Sequence, residues 1–367
     1  MLKKIERAKI ELMTYGMNVS ETARRSISGD EGRPLTLADY ASTSGISMVL
    51  GDNIWVNAPI RDYNPNFVNE TYYTLDFRDE GFFVDSDGIQ FKTIPVPVPA
   101  YHKEKAPSGD PYIYLAITHT DRVRISPIGG CAIACHFCDM SYTSKYRKKD
   151  IEDLVDSVRV ALEDPIQEAH HVLISGGTPK PKDYEYEREV YRAVASVFPE
   201  IDVDVMMVPM PGLLDAQELK EIGIHGLSIN LELYNQDMAK KIMKGKWKAS
   251  RQMYLDFIED SIPIFGVGNV RSLLMVGIEP LEDTLRGVEA LAERGCDPVL
   301  SPFRPDQSTP MMSEKPPSVN FLIETYERAR EIVEKFEGVK LGPRCIPCHH
   351  NTLTFPDDSG LYYNSGE

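Results

Sequence analysis

The chain has 367 residues, enough for one large domain or two ordinary ones, and 42% of them are hydrophobic, which supplies a core and excludes a disordered chain. Its 40 basic and 56 acidic side chains give a net charge of -16, which argues against a nucleic-acid partner, because contact with a phosphate backbone needs clustered Lys and Arg. No apolar run is long enough to span a membrane, the opening residues are charged, and six cysteines in a chain this long are no disulfide scaffold, so a reducing cytoplasm is the expected setting.

Residues 1–118 read as an N-terminal β-rich region. Lys3 to Met13 is amphipathic, with Ile5, Ile10, Leu12 and Met13 apolar. Strand-like runs follow at Ile46–Leu50, Asn53–Val56, Tyr72–Phe77 and Gly81–Val84, with Asp85–Gly88 as a turn. Thr93 to Ala100 carries three prolines and reads as an extended linker. From residue 119 the pattern alternates strand and helix to about residue 340. Strands are expected at Arg122–Ile125, Val172–Ser175, Val203–Val208, Leu227–Leu233, Val270–Val276 and Pro298–Phe303. Helices are expected between them, including one long helix over about 236–260, and a last helix ends at Gly338. Six strand–helix units in series predict an α/β fold, an open partial (β/α)6 barrel of TIM type. Residues 341–367 form a C-terminal extension. The short basic clusters Lys145–Lys149 and Lys240–Lys248 read as solvated helix faces.

Three cysteines, Cys131, Cys135 and Cys138, lie within eight residues directly after the first barrel strand. Three soft ligands this close suit an iron–sulfur cube with one corner left open to bind a small molecule. A structural zinc usually takes four ligands in paired CxxC units, and no second pair lies nearby. After the second strand comes the turn Gly176-Gly177-Thr178-Pro179, whose small residues allow close backbone approach to a ligand. Ser228, Asn230 and Glu232 alternate along the fourth strand, so one face carries three polar side chains that need a ligand or one another. In barrels of this kind chemistry sits at the C-terminal ends of the strands, where all three features fall.

The CxxxCxxC loop, with Phe137 before its last cysteine, resembles that of the radical S-adenosylmethionine (radical SAM) superfamily. The resemblance spans about residues 120–340 and implies a [4Fe-4S] cluster on Cys131, Cys135 and Cys138, with S-adenosylmethionine (SAM) as second cofactor. It implies that Gly176, Gly177 and Thr178 hold the SAM amino group, with Thr178 where Glu is common. Asn230-x-Glu232 is similar to the ribose-binding motif of the biotin synthase and lipoyl synthase branch, and Ser228 lies on the same face. Gly277, in a Gly-x-Glu-Pro turn, is placed near the adenine. Arg271 is a contact for the SAM carboxylate if it points inward, Phe303 a stacking or backbone contact for adenine, and Arg304 an anion clamp. Reductive cleavage of SAM to a 5′-deoxyadenosyl radical, followed by hydrogen abstraction from an unactivated C–H, is the implied activity. A reductant such as ferredoxin or flavodoxin and a small-molecule or carrier-protein-bound substrate are the implied partners.

A second pair, Cys345-Ile-Pro-Cys348 followed by His349 and His350, is a candidate for an auxiliary cluster, a metal or a redox thiol pair. If Val339–Leu341 is a seventh strand, the pair emerges on the face of the first cysteine loop. A sacrificial cluster there would make the reaction a sulfur insertion. Otherwise the radical drives a rearrangement, dehydrogenation or decarboxylation of a small anionic substrate. The competing class is a non-catalytic iron–sulfur electron carrier or zinc protein. Cys296, ahead of the sixth strand, reads as a buried core cysteine.

Overall fold

The computed structural model describes residues 2–29, 33–40, 45–86 and 88–364. Its larger sheet has seven strands. Six are parallel and adjacent in chain order: Arg122–Ile125, His171–Ile174, Val203–Met206, Gly226–Ser228, Val270–Val276 and Asp297–Pro302. They are called the first to sixth parallel strands below. Ala116–His119 adds an antiparallel edge beside the first. Helices Ile151–Leu162, Tyr184–Val197, Ala216–Glu221, Arg251–Phe265, Leu281–Ala292 and Val319–Val333 return the chain between strands and close it at the end. Each buries an apolar stripe, for example Leu154 and Val158, or Val190, Tyr191 and Val194. Their starts are set by side-chain caps: Asp150 accepts from the amide of Asp153, Asp215 from Glu218, and Ser318 from Phe321. This is the open partial barrel expected from the sequence.

Two elements differ from expectation, each for a visible reason. The fourth strand stops at Ser228 instead of running to Leu233. Beyond it side chains interrupt the ladder: Ser272 Oγ accepts from the Leu231 amide and Asn230 Oδ1 from the Leu273 amide, before Glu232 pairs again with the fifth strand. The long helix over 236–260 is two helices, Gln236–Ile242 and Arg251–Phe265. Between them Gly245 lies so close to Ile133 that a Cβ would stand 2.8 Å from its Cγ2, and Ser250 caps the second helix.

The N-terminal residues form a second, six-stranded sheet in the order Asn18–Val19, Thr74–Arg78, Gly81–Ser86, Ile89–Pro95, Gly45–Leu50, Ile54–Pro59. The segment read as a linker from Thr93 is in part a strand, with Val49 paired to Ile94 and Leu50 to Thr93. Asp87, in the expected turn, lies outside the described residues. Helix Lys4–Tyr15 packs on this sheet and buries Ile10, Leu12 and Met13.

The C-terminal segment lies along the side the six strands leave open. Gly342 N donates to Pro298 O, and Leu353 N to Leu300 O. The buried Lys9 Nζ donates to the carbonyls of His349 and Thr354, joining the N-terminal helix to the same segment. No seventh strand forms at Val339–Leu341. The last helix returns the chain to the N-terminal ends of the strands, where Arg344 pairs with Asp297, the first residue of the sixth strand. Nothing then carries Cys345 and Cys348 back to the other end, so they do not share a face with the first cysteine loop. Among the described residues no helix is long and apolar enough to cross a membrane.

Candidate active site

An open cleft of about 610 Å³, counting the solvent at its mouth, lies at the C-terminal ends of the first four parallel strands, and Cys131, Cys135 and Cys138 all line it. The loop that carries them is held from both sides. The Ala132 amide donates to Thr178 O at 2.9 Å, and the Thr178 amide points at Cys131 Sγ at 3.2 Å. His136 N donates to Ile242 O. Gly177 makes this contact possible: a Cβ there would lie 1.6 Å from the Gly130 carbonyl oxygen. Cys135 packs with Leu233, Ala239 and Met243, and burial pushes its thiol up to about 12; burial likewise pushes Cys138 up to about 11. Cys135 and Cys138 therefore need a bound cation to be held as thiolates.

The facing wall is polar. Ser228 donates to Asn230 Oδ1 at 2.9 Å, and Glu232 pairs with Lys246 at 2.8 Å. Glu232 has φ of 69°, a region that costs a non-glycine residue about 1–2 kcal/mol. The fifth strand holds it there: its amide donates to Leu273 O and its carbonyl accepts from the Met275 amide, both at 2.8 Å. Burial lowers the affinity of Lys246 for its proton, but Glu232, Tyr254 and Cys135 more than offset this and keep it a cation. Sequence reasoning missed Lys246, which lies in a basic run that looks like a solvated face. Its one distinguishing signal was its position just after Gly245. Ile133, Phe137, Met206, Met207 and Val208 complete an apolar lining.

The structure thus brings Gly176, Thr178, Ser228, Asn230 and Glu232 to the cavity with the three cysteines, and Gly177 sits behind its rim. It does not bring the other four. Arg271 points to the opposite end of the strands and pairs with Asp204 at 2.6 Å, because it opens the fifth strand and does not end it. Arg304 donates to Asn57 Oδ1 and to the Asn57 carbonyl, both at 2.7 Å, so it ties the N-terminal sheet to the barrel and is no anion clamp. Phe303 is buried outside the cavity lining, its amide bonded to Val276 O. Gly277, at φ 101°, makes room for Pro317. Its neighbour Glu279 accepts from the amides of Tyr234 and Asn235 and so anchors the loop after Leu233.

The second cysteine pair has partners that sequence reasoning did not name. Cys345 and Cys348 meet Asp121, which precedes the first parallel strand, and His171, which opens the second. His349 and His350 do not complete the site: His349 Nε2 bonds to Pro343 O and His350 Nδ1 to Pro347 O. Cys296 is fully buried, as expected.

Residues 125–302 match the Radical SAM superfamily. A bacteriochlorophyllide c C-7(1)-hydroxylase from Chlorobaculum limnaeum is 26% identical over 143 residues, 38% of this chain. The match spans 36% of that curated relative. Among solved structures, methylornithine synthase (PylB) superposes with a TM-score of 0.46 at 17% identity, covering 65% of this chain and 76% of that one. The [FeFe]-hydrogenase maturase HydG from Carboxydothermus hydrogenoformans gives 0.47 at 18% identity, covering 60% of this chain and 53% of that one. The family implies a [4Fe-4S] cluster and SAM, and the donor set fits both: three thiols for three irons, beside a glycine turn and a polar wall in one cavity. Residues 125–302, just under half of the chain, thus carry the radical SAM match together with the three-cysteine loop, the glycine turn and the polar wall.

Proposed function

We propose that Cys131, Cys135 and Cys138 hold the cluster, that Gly176, Gly177 and Thr178 receive the amino-acid end of SAM, and that Ser228, Asn230 and Glu232 receive its ribose. One observation carries this reading: thiols, glycine turn and polar wall, far apart in sequence, meet in one cavity. With both cofactors bound, the chemistry supplied is reductive cleavage of SAM to a 5′-deoxyadenosyl radical that takes hydrogen from an unactivated C–H of the substrate. The protein's part is placement. Glu232, fixed by the fifth strand and by Lys246, presents its free carboxylate oxygen to ribose hydroxyls. Asn230 keeps its amide NH2 for the ligand while its oxygen is held by Ser228 and the Leu273 amide. Ile133, Phe137 and the methionines exclude water from the reacting atoms.

The similarity to an enzyme named as a hydroxylase supports a carbon–hydrogen bond as the target. Sulfur insertion fed from Cys345 and Cys348 loses its support, because that pair stands at the far end of the strands, roughly 16 Å away at 3.3 Å per residue. An anionic substrate loses the support of Arg304, which is engaged with Asn57. A one-electron reductant such as ferredoxin or flavodoxin is required in this scheme. The test is anaerobic reconstitution, reduction and addition of SAM, with 5′-deoxyadenosine measured by chromatography and the reduced cluster followed by EPR. Formation of 5′-deoxyadenosine with a spectrum shifted by SAM is expected. No product and an unmoved spectrum would return the protein to the class of non-catalytic iron–sulfur proteins.

A further inference from the structure

We propose that Asp121, His171, Cys345 and Cys348 form a structural zinc site that clamps the C-terminal segment onto the N-terminal end of the barrel. The four residues come from three separate parts of the chain, and all four are buried. One ligand atom from each lies within 4.8 Å of every other. Cys345 Sγ stands 3.5 Å from both Asp121 oxygens, and Cys348 Sγ 3.5 Å from His171 Nε2. His171 Nε2 is 3.6 Å from Asp121 Oδ1, and Cys348 Sγ is 4.0 Å from the same oxygen.

These four separations match edges of a tetrahedron around one ion, and the two remaining pairs, Cys345–Cys348 and Cys345–His171, lie within 4.8 Å. With Zn–S near 2.3 Å and Zn–N or Zn–O near 2.0–2.1 Å, tetrahedral angles put sulfur about 3.6 Å from nitrogen or oxygen, and nitrogen about 3.4 Å from oxygen. An iron–sulfur cube sets each cysteine sulfur on a different iron and spreads its ligands wider than this. Two sulfurs, an imidazole and a carboxylate are also a zinc donor set by chemistry. All four positions come from the protein, the mark of a structural site rather than a catalytic one.

The surroundings suit the charge. Two thiolates and a carboxylate around a divalent ion leave one negative charge in excess, and Arg122 and Arg271 line the polar cavity beside His171, Cys345 and Cys348. That cavity also gives the ion a way in. The tail is braced around the same point: the Tyr363 amide donates to Arg344 O, and the Ile346 amide to Tyr363 O. A zinc there would close the end of the barrel that the chemistry does not use.

The experiment is elemental analysis of the full chain purified under reducing, anaerobic conditions, with zinc K-edge absorption on the same sample. Close to one zinc per chain is expected, with two sulfurs near 2.3 Å and two lighter ligands near 2.0 Å. C131A/C135A/C138A, which removes the proposed cluster ligands, should keep its zinc, so the result stands apart from the outcome of SAM cleavage. H171A and C348S should lower zinc retained against a chelator at least about tenfold. If those variants do not fold, the absorption spectrum of the unaltered protein decides. Zinc near zero, zinc unchanged in H171A and C348S, an edge spectrum without sulfur, or about eight irons per chain with no zinc would each overturn the proposal.

Discussion

The two ends of the barrel carry the same soft donors in opposite arrangements. At the C-terminal end three cysteines sit on one short loop, and the space beside them is an open cavity with a glycine turn and a polar wall. At the N-terminal end two cysteines are met by Asp121 and His171, and the four donors face one another. With metals bound as proposed, the first set would leave a position for a small molecule, and the second would leave none. Cysteine count alone does not separate a reactive centre from a brace; what separates them is whether the protein fills the last coordination position.

The largest effect should come from the mouth. C131A, C135A or C138A is expected to reduce SAM cleavage to background and to remove cluster iron, with the fold kept, as read by 5′-deoxyadenosine assay and circular dichroism. If one of them retained near-normal cleavage, the two ends would have been assigned the wrong way round. Next, H171A should destabilise the protein by about 3–5 kcal/mol in urea unfolding, because it breaks a buried charged cluster, while SAM binding at the mouth persists. Loss of SAM binding with unchanged stability would make the lower site part of the active centre.

E232Q should cost roughly 1.5–3 kcal/mol in kcat/KM for SAM, about ten- to a hundredfold, by removing a charge-assisted hydrogen bond, while R271K leaves that constant unchanged. Equal effects of the two would erase the distinction drawn between the ends of the fifth strand. The smallest effect tests what partners are worth to buried charges. Burial raises the carboxyl of Asp204, but Arg271 and His225 more than offset it and hold it well below the usual carboxylate range. Among the described residues Glu187, in helix Tyr184–Val197, has the Tyr191 hydroxyl alone as partner, at 3.4 Å, and burial pushes it up to about 8. Its folded value is raised, so its contribution is fully present below about pH 4.5 and is lost as pH rises through 8. Between pH 5 and pH 7 the unaltered protein should therefore lose about 2 kcal/mol of stability that E187Q does not lose. Parallel pH profiles would show that Glu187 is solvated or paired after all.

Much of the barrel was legible because its strands and helices alternate with clean apolar periods. The elements that misread are those where side chains took over backbone work. Ser272 and Asn230 end the fourth strand early, and the approach of Gly245 to Ile133 splits a helix that local periodicity runs straight through. The three-cysteine loop, the glycine turn and Ser228, Asn230 and Glu232 were legible because each falls just past a strand end. Lys246 was not, since a buried lysine beside a carboxylate and an exposed one in a basic run look alike in sequence.

By itself the sequence determined the parallel barrel, the spacing of three thiols on one loop, and the end of the strands at which they emerge, because these depend on periodicity and on neighbours within a few residues. Only the tertiary structure decided the fate of Cys345 and Cys348. Their partners stand more than 170 positions away in the chain, and the end of the barrel they reach depends on whether one further strand forms after the last helix. None forms there, so the second cysteine pair faces Asp121 and His171 at the N-terminal ends of the strands, away from the cavity at the mouth.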